Sequence, residues 1–149
     1  NTHLSWRADE NDIRMKQTLE LEAFVNQKAQ DLPAAVVGDF NGASNTPPVV
    51  YLREMRKWID TFWVKNPGDL GLTWDYRNPY AEAEREKMAE RRIDFIFIRE
   101  RTGPFEKIKS SSLVFNKPSG EGVYPSDHFG VMTEFSTSDN GRRSTNGRQ

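Results

Sequence analysis

The sequence has 149 residues, 36% of them hydrophobic and 11% aromatic, which supplies one domain with a core of its own. Its 21 basic and 22 acidic residues leave a formal charge of −1, so no chain-wide basic field attracts nucleic acid and only a local patch could do so. There are no cysteines, which excludes disulfides, zinc–thiolate sites and cysteine nucleophiles but leaves the compartment open, and no apolar run is long enough to cross a bilayer.

Asn1-Thr2-His3-Leu4 carries no initiator methionine and no signal-like pattern, and reads as a stretch that starts inside a strand. Thr18, Leu21, Val25 and Ala29, with Met15 at the margin, recur at three- and four-residue spacing and predict a helix over residues 9–31. Asp9, Glu10 and Asp12 suit the positive end of its dipole, Pro33 lies just past its end, and its acids read as a surface stripe. Residues 34–37 form a short apolar run ending at Gly38, which predicts a strand buried on both faces that feeds a polar loop. Thr46 with Pro47 behind it predicts a capped second helix burying Val49, Leu52, Met55 or Arg56, and Ile59.

The order strand, helix, strand, helix is layered α/β logic. Residues 60–64 read as extended, residues 66–69 as a turn, and residues 72–74 as a short strand. Asn78-Pro79 predicts another cap and a charged, solvated helix over residues 80–91. Residues 93–98, 108–115 and 130–135 complete the strands, and residues 136–149, without an apolar side chain, predict a disordered tail.

Asp39 and Asn41 sit two apart after a buried strand, where an acid and an amide aimed into one cleft suit a phosphate-and-water site; an Asx turn explains the same pattern. Asp94, set in an apolar strand, needs a partner: a histidine whose tautomer it fixes, or Arg91 or Arg92 in a salt bridge. Asp127 and His128, in the Ser-Asp-His triplet after Pro125, read as a metal ligand beside a phosphate-facing imidazole or as a capping pair. His3, the other histidine, reads as functional or as a satisfied core residue.

Taken in order, Asn-Thr-His-Leu, Gly-Asp-Phe-Asn, Thr-Trp, Arg-Ile-Asp-Phe-Ile-Phe and Ser-Asp-His-Phe-Gly resemble the endonuclease/exonuclease/phosphatase superfamily over residues 1–135. The resemblance implies an α/β (α+β) fold, the C-terminal half of a DNase I-like four-layer αββα sandwich with mostly antiparallel sheet. It implies a Mg²⁺- or Mn²⁺-dependent phosphoester hydrolase, a nuclease or a phosphodiesterase/phosphatase, in which water attacks phosphorus. By that resemblance His3 contacts the phosphate or leaving group, Asp39 orients the attacking water, and Asn41 holds phosphate and water. Asp127 becomes the metal-associated carboxylate, and His128, oriented by Asp94, binds a non-bridging phosphate oxygen; Thr73 has a supporting role.

The superfamily pattern also has an N-terminal half with an asparagine and the main glutamate metal ligand, and no acid precedes His3 here. The expectation is therefore a fragment inactive alone, whose partner is that half and whose open sheet face promotes oligomerisation. Two alternatives remain. A sphingomyelinase-type lipid phosphodiesterase is disfavoured because residues 116–125 offer only Val123 and Tyr124 in place of an aromatic hairpin, and a non-catalytic binding module would keep the motifs without the metal. Arg77, Arg85 and Lys87 could line a nucleic-acid groove, though a solvated helix accounts for them better.

Overall fold

The computed structural model describes residues 1–99 and 103–136. Among them, the chain builds β1 (Thr2–His3), α1 (Asn11–Ala29), β2 (Ala35–Asp39) and α2 (Pro47–Val50), which runs on into a π turn. It continues with β3 (Ile59–Asp60), α3 (Thr61–Lys65), α4 (Pro79–Glu82), β4 (Asp94–Ile98), β5 (Lys107–Val114) and β6 (Gly130–Ser136). The first four strands form one sheet in the order β1-β2-β4-β3, and β5 pairs with β6 in a second. Only β1 with β2 is parallel; the other pairings are antiparallel, so the fold is the mixed, mainly antiparallel α+β partial sandwich that the sequence implies.

The core is built by alternation. Val36 of β2 lies opposite Phe97 of β4, both buried, and the rings of Phe40, Phe95 and Phe97 pack with centroids 5.3 to 5.6 Å apart. Leu21, Val25 and Ala29 of α1 lie against this cluster. Strand β2 is thus buried on one face rather than both, since Ala35 is exposed and Val37 only half-buried; alternation sends Val37 and Asp39 to the side away from α1.

Helix α1 departs from a simple apolar stripe. Arg14, Thr18 and Glu22 are its buried residues, spaced by four. Arg14 donates to the carbonyls of Ser5, Arg7 and Ala8 and to Asn11 Oδ1. Glu22 accepts from Tyr51 at 2.7 Å and Arg56 at 2.5 Å, so it is a buried anchor between α1 and the π turn and not part of a surface stripe.

Four local expectations differ from the structure. Residues 61–65 are helical, because Asp60 turns the chain by accepting from the Trp63 amide as an N-cap. Residues 72–74 form no strand; Trp74 makes a single antiparallel bridge to Arg91. Asn78 caps as expected, with its side chain accepting from the Tyr80 amide, but α4 stops after four residues and the charged stretch goes on as turns. That stretch has no apolar periodicity to hold a longer helix on the protein. Met55 is exposed and Ile59 belongs to β3, so of the expected stripe only Val49 and Leu52 are buried helical residues. Ser136 ends β6, and the remainder of the expected tail lies outside the described residues.

The second sheet is keyed to the first by hydroxyls. Thr61 Oγ1 donates to the Ile96 carbonyl and lies 2.8 Å from Thr133 Oγ1 on β6, which meets Ser111 on β5 at 2.9 Å. This arrangement carries the β6 entrance, and with it Ser126 to Phe129, toward the end of β4.

Candidate active site

The sheet register assembles the site. His3 is the partner of Asp39 across β1 and β2, and Asp39 is the partner of Asp94 across β2 and β4, so three predicted residues stand in one row. Laterally paired residues share a face of a sheet. Gly38 makes the row possible: a side chain there would run into the Thr2 backbone oxygen at 1.9 Å, so only glycine lets β1 lie this close.

His128 joins from the loop that leads into β6. Its Nδ1 lies 2.8 Å from Asp94 Oδ2, and Asp39, Asp94 and His128 offer ligand atoms that all lie within 4.8 Å of one another. Asp94 therefore pairs with the histidine, while Arg92 forms a separate ion pair with Asp60 at 2.8 Å with both side chains 1% exposed. His3 Nε2 is 3.5 Å from Asp39 Oδ2 on the outer side of the row, with its ring largely exposed.

Asn41 is held by two contacts. Its backbone N–H donates to Asp39 Oδ1 at 2.7 Å, and its Nδ2 donates to the Leu4 carbonyl at 2.9 Å. Its φ of 49° is the left-handed conformation that asparagine tolerates, so the loop is an Asx turn that also fixes the Asp39 carboxylate. The two sequence explanations of Gly-Asp-Phe-Asn are compatible.

Asp127 lies outside the cluster of three. It is exposed, its Oδ1 accepts from Ser126 Oγ at 3.2 Å, and Ser126 Oγ accepts from the His128 amide at 3.1 Å. Thr73 supports the row: its Oγ1 accepts from the Ile93 and Asp94 amides and its carbonyl accepts from the Phe129 amide, tying β4 to the His128 segment.

Electrostatics follow from this packing. Burial and the like charge of Asp94 push Asp39 above the usual carboxylate range, against the Asn41 amide and the histidines. Burial alone would lower His128, but the Asp94 hydrogen bond and the charges of Asp94, Asp39 and Asp127 outweigh it and hold the ring above the usual imidazole range. The site thus couples a carboxylate that protonates readily to an imidazole that stays charged longer.

Two supports were not legible as site residues. Trp74 sets its ring 5.1 Å from the His128 ring at 79°, edge to face. Asn78, fully buried, caps α4 and also donates from Nδ2 to the Ser126 carbonyl at 2.8 Å. The available signals were an aromatic residue directly after Thr73 and an Asn-Pro cap; neither says which distant loop it would meet.

Solved structures share this arrangement of elements. D. rerio TDP2 complexed with a single-strand DNA product matches 91% of this chain with a TM-score of 0.66 and 22% identity, over 54% of its own length. An endonuclease/exonuclease/phosphatase family protein from Bacteroides thetaiotaomicron matches 88% of this chain with a TM-score of 0.59 and 16% identity, over 47% of its length. The chain has the fold of the endonuclease/exonuclease/phosphatase superfamily. In sequence, the uncharacterized protein F14F9.5 of Caenorhabditis elegans is 28% identical over 135 residues, covering 73% of this chain and 42% of that protein. No family model matches the sequence. The chain spans about half the length of the proteins it matches.

Proposed function

We propose that residues 1–135 form part of a metal-dependent phosphoester hydrolase domain of this superfamily, acting on phosphodiesters or phosphomonoesters by direct attack of water on phosphorus. The observation that carries this reading is the row of His3, Asp39 and Asp94, closed by the hydrogen bond from Asp94 to His128.

The residues divide the work by charge. Asp39, fixed by the Asn41 amide, accepts the proton of the attacking water as its oxygen bonds to phosphorus and the ester P–O bond breaks. Its raised pKa brings its basicity nearer to neutral pH. His128, kept protonated by Asp94, hydrogen-bonds a non-bridging phosphate oxygen and stabilises the charge that grows there. Asn41 positions phosphate and water, and His3 contacts the leaving-group side.

The oxygen-rich surroundings of the cluster fit a hard divalent cation, with exposed Asp127 beside it as the metal-associated carboxylate and the main glutamate ligand expected in the N-terminal half. Mg²⁺ or Mn²⁺ held by these carboxylates would polarise the phosphoryl oxygen and stabilise the leaving oxygen. Asp39→Ala and His128→Ala in the full-length protein, assayed with Mg²⁺ on bis-p-nitrophenyl phosphate, should each lower kcat/KM by about 10²-fold or more with the circular dichroism spectrum unchanged. Wild-type turnover in both variants would overturn the assignment. D. rerio TDP2 with its single-strand DNA product supports placing nucleic acid first among the substrates to compare with RNA, sphingomyelin and inositol phosphates.

A further inference from the structure

A cavity of about 620 Å³ lies between the turn at residues 66–72 and strand β5; Asn66, Leu72 and Arg77 line one side, Leu113 and Asn116 the other, and no residue of the row lines it. One wall is a strand edge. Asn66 Nδ2 donates to the Ser111 carbonyl at 2.9 Å, so an asparagine stands where a neighbouring strand would bond. Ser111 is the partner of Thr133 and their hydroxyls meet at 2.9 Å, which suits the closer, non-hydrogen-bonded kind of antiparallel pair, whose peptide groups face away from the partner strand. Alternation then turns the N–H and C=O of Leu113 outward too, along the stretch of edge that lines the cavity beyond Asn66. We infer that the cavity is a docking groove for an extended, acidic peptide segment of a partner protein, which adds as a strand beside Leu113 and sets a carboxylate on Arg77.

Both sides of the groove are held before any ligand arrives. Asn66 also donates to the Phe62 carbonyl, and the Gly71 N–H donates to Asp69 Oδ1, so the turn is fixed at both ends. Gly71 has a φ of 60°, and a Cβ there would lie 2.3 Å from the Phe62 ring, so the turn packs directly on the phenyl group. Arg77 is aimed in the same way. Its Nε and Nη2 donate to Asp75 at 2.9 and 2.6 Å, which leaves Nη1 for an incoming group, and its guanidinium lies 5.5 Å over the Phe129 ring. The Asp75 side chain is 3% exposed and that of Arg77 is 67% exposed, so a buried acid orients a cation that solvent still reaches. Little freedom is lost when a carboxylate binds such a group.

Charge and chemistry narrow the occupant. The exposed lysines Lys65 and Lys117 adjoin the lining residues Asn66 and Asn116 in sequence, and the lining acid Asp69 is turned to the Gly71 amide, so the surroundings favour an acidic segment. An outward N–H and C=O from one residue match the peptide group of another strand and not a sugar-phosphate backbone, which has acceptors alone to offer a strand edge. Apolar lining from Phe62, Leu70, Leu72 and Leu113 suits the alternate side chains of an extended chain. The volume holds a short segment and is too small for a folded partner.

The test offers immobilised full-length protein a library of capped hexapeptides with glutamate fixed at either end and the other positions randomised, beside a matched library with glutamine in its place. The glutamate library should be retained over the glutamine one, and its best peptide, titrated by fluorescence anisotropy, should bind Arg77→Gln about 10- to 100-fold more weakly. Leu113→Pro removes the outward N–H at an edge position where proline is tolerated, and should weaken binding about 2- to 12-fold. Should that variant fail to fold, N-methylation of the peptide makes the same test from the other side: methyl groups on one alternate set of its amides should abolish binding, and on the other set should not. Retention of neither library, equal binding to Arg77→Gln, or indifference to N-methylation would overturn the groove. So would single-stranded DNA held through Arg77 with no peptide retained, which would assign the surface to nucleic acid.

Discussion

Asp94 Oδ2 and His128 Nδ1 meet at 2.8 Å although 34 residues separate them, one on β4 and the other in the loop that leads into β6. The contact fixes which nitrogen of the ring faces the protein and leaves Nε2 for whatever enters the site. His128 should consequently titrate in an NMR experiment with a midpoint above its ordinary value of 6.5, and Asp94→Asn should bring that midpoint down. Because the folded pKa is the higher one, the pair stabilises the fold fully below the unfolded pKa, and that stability is lost as pH rises through the folded value. A midpoint unchanged by Asp94→Asn would contradict the pairing.

Asp39 is expected to show linkage of the same sign. Its folded pKa is raised by burial and by Asp94, so its ionisation opposes folding above the unfolded carboxylate range, and stability is regained as pH falls through the raised value. Asp39→Asn should therefore raise the thermal midpoint at neutral pH while lowering turnover by about 10²- to 10⁴-fold. Calorimetry and kinetics on one preparation check both halves of the statement.

The buried pair of Arg92 and Asp60 should behave as structure alone. Arg92 sits over the rings of Phe62 and Phe95 at 5.4 and 4.6 Å, and Asp60 also caps α3. Asp60→Ala strands a buried guanidinium and should destabilise by roughly 3–5 kcal/mol in urea melts. The double variant Asp60→Leu with Arg92→Met should lose less than either charge deleted alone, since no charge is then left unpaired.

Asn78 links stability to the site. Asn78→Ala removes both the α4 cap and the donor to the Ser126 carbonyl, and should lower stability by about 0.5–2 kcal/mol from the cap with a further loss from the unmet carbonyl. Amide exchange should rise across residues 125–129 more than across β2. Unchanged exchange in that segment would mean that Asn78 does not hold the loop.

The fold and the cluster were legible to different depths. Periodicity located α1, β2, β4, β5 and β6, through Leu21, Val25 and Ala29 in α1 and the apolar residues of the strands. It failed at residues 61–65 and 80–91, where one cap or the lack of a packing face decides the outcome locally. Pairing Asp94 with His128 was foreseeable from the need of a buried carboxylate for a partner, but the choice of Asp60 for Arg92 was not, since Asp60 lies in a segment with no such pattern. The buried polar stripe of Arg14 and Glu22 runs against hydrophobic periodicity, and only the positions of Ser5, Tyr51 and Arg56 explain it.

The two-residue strand β1 is secured through a glycine 35 positions away from the histidine it delivers. Since no other residue type fits at Gly38 without meeting Thr2, the lateral seat of His3 is set by an absence of side chain rather than by a contact. A mutation there would spare the ring contacts of Phe40, Phe95 and Phe97 and still unseat one end of the row of His3, Asp39 and Asp94. In such a variant, a melting curve close to wild type would conceal a disassembled site.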